Sequence, residues 1–234
     1  MAIRTPRPSR PPKKPLSARE YFALPESLQP TNLIDGEVVV SAAPVKRHQV
    51  VTLAVTKALE TFAEVNGGDM IVSPTDVHLA PNVVLQPDTG YVAAGGPTTF
   101  DDHVVGPPAL ILEVLSPGTS AALHDRKMRK YALHGVPEAW VVDPVRSTVL
   151  VLRNEHGAWQ ESGRVTFGED IPSQTVRVGD AGLAKFLQPA APHSGGGRPN
   201  ERAAHGSAVE SCSRCTRRTN GASGMTGLPA LAAK

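Results

Sequence analysis

Residues 109–115, ALILEVL, form an apolar run interrupted by one carboxylate, Glu113. Apolar side chains at both odd and even positions suit a strand covered on both faces, not one with a wet side. A chain that contains such a strand must supply layers above and below it, which points to a sheet with helices packed against it. Glu113 adds a second constraint. An ionised carboxylate in that setting needs a partner charge or a cation.

The flanking sequence supplies the layers. NLIDGEVVV (32–40) reads as a hairpin whose turn is Asp35-Gly36. HQVVTLAVTKALETFAEVNGG (48–68) places Val51, Val55, Leu59 and Phe62 on one helical face, and Asn66-Gly67-Gly68 ends it. Short strand-like pieces follow at 70–73, 76–79 and 82–86, then QPDTGYV (86–92) as a strand with Pro87 at its entrance or on an edge. A polar loop leads to 109–115, a second helix spans about 123–134, and strands are expected at 139–143, 148–153, 158–167 and 174–178. The order gives an α+β (α/β-like) fold, a central mixed sheet flanked by helices.

Three segments differ in composition. Residues 1–16 carry five positive charges, no acid and many prolines, which favours an extended arm. Ser17 and Glu20 have the spacing of a capping box, so the ordered domain is expected from 17 to 188. Residues 189–234 hold no aromatic residue and a net charge of +4, and are read as a disordered basic tail. The remaining body, 17–188, carries 13 basic and 20 acidic residues, a net −7, which repels nucleic acid at long range. No apolar stretch approaches the ~18 residues of a membrane span, and the N-terminus lacks the apolar core of a signal peptide. Cys212 and Cys215, the two cysteines, are half of a zinc site at most and imply no disulfide framework; with no disulfides implied, a reducing cytoplasm is the expected setting.

The chemistry concentrates at two acids. Asp88 opens one candidate strand and Glu113 lies inside another; pairing of those strands would bring both carboxylates to one end of the sheet. Two such groups repel unless neutralised. A hard divalent cation such as Mg²⁺ does this with one or two carboxylates, keeping waters for chemistry. A solvent-facing Glu113, or one paired with Arg or Lys, is the alternative reading.

The blocks LIDGEVVVSAAP…H, QPD, PPALILEVLSPGT and K…Y…GVPEAWVVDP, in this order across residues 17–187, resemble the Uma-two family of restriction-endonuclease-like proteins, part of the PD-(D/E)XK nuclease superfamily. The resemblance implies a restriction-endonuclease-like core with Asp88 and Glu113 as catalytic acids holding Mg²⁺ or Mn²⁺. The superfamily lysine two residues after the acid is Leu115 here. The resemblance implies Lys127 in its place, from the following helix, with Lys130 as a rival because the family aspartate four residues before the lysine is Leu123. It further implies Glu37 as a third metal ligand, with His48 and Tyr131 in support. Lys127 and Tyr131 share a helix face at i, i+4. The implied activity is Mg-dependent hydrolysis of nucleic acid, DNA in the first instance, with a homodimer by analogy. Two other readings stand beside it. One is a catalytically silent binding or scaffold module using the basic arms, and the other is a metal hydrolase of a small phosphate ester.

Overall fold

The structure, a computed structural model, describes residues 14–25, 27, 29–118 and 120–176. The basic tail, the cysteines and nearly all of the N-terminal arm lie outside the described residues. Helix α1 (Ala18–Phe22) starts at Ser17, whose hydroxyl accepts from the Glu20 amide while the Glu20 carboxylate accepts from Ser17, the capping box in full. Strands β1 (Thr31–Ile34) and β2 (Glu37–Val40) fold back through Asp35 and Gly36, both at positive φ (54° and 78°), as a two-residue hairpin turn requires. Helix α2 (Lys46–Asn66) ends at Gly67, φ 73°.

Strands β3 (Asp69–Val72), β4 (Val77–Ala80), β5 (Val83–Leu85) and β6 (Thr89–Val92) follow. β6 begins at Thr89 and not at Gln86, because Pro87 has no amide to donate and the Gln86 amide donates to the Asn32 side chain instead. The polar loop contains two short strands that the sequence pattern misses, β7 (Thr99–Phe100) and β8 (Val104–Val105). Then come β9 (Leu110–Val114), helix α3 (Ala121–Leu133), β10 (Glu138–Asp143), β11 (Thr148–Glu155) and β12 (Ala158–Thr166). Ser120 accepts from the Leu123 amide, and this cap starts α3 two residues before the apolar pattern does.

The strands form two six-stranded sheets, not one. The first runs β2-β1-β5-β4-β8-β7 and the second β12-β11-β10-β9-β6-β3. The second is the mixed central sheet. In it β9 pairs parallel with β10 and antiparallel with β6. Alternate β9 residues enter different cores. Leu110, Leu112 and Val114 pack with Val51, Val55 and Leu59 of α2, whereas Ile111 packs with Met128 and Tyr131 of α3 and with Ile34, Val83 and Leu85 of the first sheet. The double coverage expected of ALILEVL is therefore α2 on one face and α3 with the first sheet on the other. Gly90 permits the close approach of β6 to β9: a Cβ there would lie 2.6 Å from the Leu110 carbonyl oxygen.

A strand at 174–178 is not formed over its described part. The amides of Gln174 and Thr175 donate to the buried Glu138 carboxylate (3.0 and 3.2 Å) and are not available to a ladder.

Candidate active site

The β6–β9 register pairs Thr89 with Leu112. One step back along β6 and forward along β9 sets Asp88 opposite Glu113. Asp88 Oδ2 accepts the Val114 amide at 2.7 Å, so the acid at the entrance of β6 is clamped to the strand that carries the other acid. His48, in the first turn of α2, places Nε2 3.0 Å from the same oxygen. A carboxylate acceptor puts the imidazole proton on Nε2, leaving Nδ1 to face the Thr52 hydroxyl at 3.4 Å. Among the described residues no hydrogen bond reaches Asp88 Oδ1.

Glu113 is on the α3 side of β9 and only 6 % exposed. The Lys127 ammonium lies 2.6 Å from Oε1 and 2.7 Å from Oε2, and donates to the Gln86 carbonyl at 2.8 Å. Two of the three ammonium protons thus have hydrogen-bond acceptors, Glu113 Oε2 and the Gln86 carbonyl. The Tyr131 hydroxyl, one turn further along α3, donates to Oε1 at 3.0 Å. Burial nevertheless pushes the Glu113 carboxyl up to about 7; Lys127 opposes that rise and Asp88 adds to it. Burial and the Glu113 charge also raise the Tyr131 hydroxyl well above its ordinary range, so it stays a donor.

All of these side chains except Tyr131 border a cavity of about 540 Å³, the size of many small-ligand pockets. Its polar wall includes His48, Asp88, Glu113, Lys127, His124 and Ser116; Pro30, Pro44, Leu53, Val72 and Leu115 contribute to an apolar wall. Ser116 Oγ is a buried side-chain atom with no hydrogen-bond partner among the described residues.

The structure thus brings together Asp88, Glu113, Lys127, His48 and Tyr131. It does not bring Glu37 to them. Glu37 sits beyond the hairpin turn, outside the cavity wall, with its carboxylate 2.8 Å from Arg126 Nη2 in an exposed pair. Lys130 does not reach the site either; it pairs with Asp35 at 2.6 Å. Among the described residues there is no group of three or more His, Cys, Asp or Glu side chains arranged to hold a metal ion. His124 was not visible in the sequence as a site residue. It stands three positions before Lys127 on the same helix face, and a lone histidine on an amphipathic helix gives no pattern by which to find it.

A mixed sheet between a long helix and a second layer, with acids at adjacent positions of paired strands, defines a restriction-endonuclease-like α/β architecture. Residues 18–181 match the profile of the Uma2 family, whose description reads "Putative restriction endonuclease", and the chain belongs to that family. It is similar in fold to the crystal structure of a "putative nuclease belonging to DUF820" from Anabaena variabilis, with a TM-score of 0.60 and 17% identity over 74% of this chain and 100% of that one. No curated protein matches.

Proposed function

We propose that this protein is a metal-dependent nuclease that hydrolyses phosphodiester bonds of nucleic acid, DNA in the first instance. The observation that carries the reading is the pairing of Asp88 and Glu113 across β6 and β9 at the cavity wall, with Lys127 against Glu113. The donor set fits Mg²⁺ or Mn²⁺: two hard carboxylates, one of them with a free oxygen at Asp88 Oδ1, match cations that take one or two carboxylates and retain water. A divalent cation held there supplies polarisation of the phosphoryl oxygens and acidification of water. The chain's own residues set the geometry. The Val114 amide and His48 hold Asp88, Tyr131 and Lys127 hold Glu113, and Lys127 brings positive charge to a region where the reacting phosphate gains negative charge. The test is cleavage of plasmid DNA and of RNA by the full chain with Mg²⁺ or Mn²⁺. Cleavage that Asp88→Asn and Glu113→Ala abolish is the expected result, and its absence in the unaltered protein sinks the reading.

The net −7 of residues 17–188 favours a second reading, a nuclease-fold protein that binds nucleic acid through its basic ends without cutting it. Binding would then fall steeply with salt and vanish on removal of residues 1–16 and 189–234. Binding unchanged by that removal would exclude this version.

A further inference from the structure

We propose that His124 is a catalytic residue of this site, the base that takes a proton from the attacking water; this rests on the nuclease reading above. The cavity needs a base, and its other polar groups are either engaged or, like Asp88 Oδ1, the oxygen assigned above to the cation, suited to another task. Lys127 donates to Glu113 and to the Gln86 carbonyl, and an ammonium has no lone pair to accept a proton. Asp88 Oδ2 already accepts two donors, and His48 directs its Nε2 proton to Asp88 and its Nδ1 to Thr52. The Ser116 hydroxyl is not a base at neutral pH. Asp125 also borders the cavity but its residue is exposed to solvent, whereas His124 is half-buried at the wall.

His124 occupies the remaining position. His124, Lys127 and Tyr131 lie at i, i+3 and i+7 of α3, one stripe of the helix. The last two are fixed on Glu113, so the turn before them sits at the cavity wall, where His124 is half-buried. No hydrogen bond to its ring occurs among the described residues. The charged and titratable groups around it are Lys127 and Asp125 on its own helix, Asp88 before β6, Glu113 on β9 and His48 on α2. Burial lowers its pKa, Lys127 lowers it further, and Asp125 and Asp88 act the other way. The ring is therefore neutral at pH 7, with a free lone pair.

In the proposed step the imidazole nitrogen takes a proton from water as the water oxygen forms its bond to phosphorus. The P–O bond to the leaving sugar oxygen breaks, its electron pair departs with that oxygen, and solvent protonates it. The imidazolium then returns its proton to solvent. No electrons are exchanged with any other group.

The experiment compares unaltered full chain, His124→Gln and Asp88→Asn in cleavage of a labelled DNA duplex with Mg²⁺, from pH 5 to 9. The unaltered protein should show an acid limb in kcat/KM below the ordinary histidine range. His124→Gln should lower kcat about 100-fold or more at pH 7, with KM little changed and that limb gone. His124→Ala, partly rescued by added imidazole, separates lost chemistry from lost structure. A separate reading, free of activity, is the ring ¹⁵N spectrum of the metal-free protein, with His124 assigned through the Gln variant; a neutral ring at pH 7 is expected. Activity of His124→Gln within about threefold of the unaltered protein, while Asp88→Asn is dead, overturns this proposal alone. So does a ring protonated at pH 7. Absence of cleavage by the unaltered protein overturns the nuclease reading and this one with it.

Discussion

Replacing Glu113 by glutamine should remove a pH-dependent loss of stability that the unaltered protein carries. The Glu113 carboxyl has an ordinary value of 4.5 and is pushed up to about 7 in the fold, chiefly by burial. Between those values the folded chain holds a proton that the unfolded chain has released. Stability therefore falls as pH rises through this window, being highest below about 4.5 and level again above about 7. At roughly 1.4 kcal/mol per unit the change from this one group is about 3 kcal/mol. Even with Lys127 2.6 Å away, the ionised pair is a net burden, consistent with the high desolvation cost of buried ions. Glutamine keeps an acceptor for Lys127 and Tyr131 and does not titrate. Urea denaturation of both proteins at several pH values from 4.5 to 8 measures the effect. The stability difference between them should move by about 3 kcal/mol in favour of the variant as pH rises. Curves that run parallel within the error of linear extrapolation would refute the assignment of burial as the dominant influence on Glu113.

Lys127→Met removes the cation that opposes the rise of the Glu113 carboxyl, so at pH 8 Glu113 must stay ionised without a partner or take up a proton; the loss should reach at most about 3–5 kcal/mol at pH 8 in the same urea assay and be clearly less at pH 5, where Glu113 is already protonated. Gly90→Ala forces a Cβ to within 2.6 Å of the Leu110 carbonyl and 3.2 Å of Ile71 Cδ1, so thermal melting should show a loss of about 1–3 kcal/mol. Glu138→Ala removes the acceptor of the Trp140 indole and of the 174 and 175 amides. It should cost on the order of 2 kcal/mol and speed hydrogen exchange at those two amides.

Much of the fold was legible because its elements carry local signals. The Asp35-Gly36 turn, the α2 stripe and the strand at 110–114 each follow from short-range patterning. The first sheet, β2-β1-β5-β4-β8-β7, was not legible as a separate sheet. β7 and β8 are two residues each, too short for alternation to register, and β8 pairs parallel with β4 across a long loop. The missing strand at 174–176 has a similar origin, since its amides are taken by Glu138, 36 residues earlier in the chain. At the site, Asp88 and Glu113 were readable as a pair because the period of a strand sets their faces. The choice between Lys127 and Lys130 was not, because three residues on a helix shift a side chain by less than one turn. It took the fold to send one to Glu113 and the other to Asp35. Glu37 failed to reach the cavity for a comparable reason: sequence places it after a turn, but Arg126 on α3 decides where its carboxylate points.

The constraint set by ALILEVL and the construction of the site turn out to be the same requirement. A strand apolar on both faces must be covered twice, and here each covering layer also delivers support for one acid. The helix on the Leu112 face, α2, carries His48 to Asp88; the helix on the Ile111 face, α3, carries Lys127 and Tyr131 to Glu113. The Val114 amide then ties Asp88 to β9 itself. Neither acid is held by its own strand alone, so the relative placement of the two carboxylates depends on both helices keeping their packing on the sheet. A substitution that loosens α2, such as truncation of the fully buried Leu59, would weaken the His48 contact to Asp88 while leaving the Val114 clamp, Glu113 and Lys127 in place. The geometry that the proposed hydrolysis requires tolerates little displacement. It follows that core residues far from the cavity affect the two acids separately, according to which face of β9 they cover.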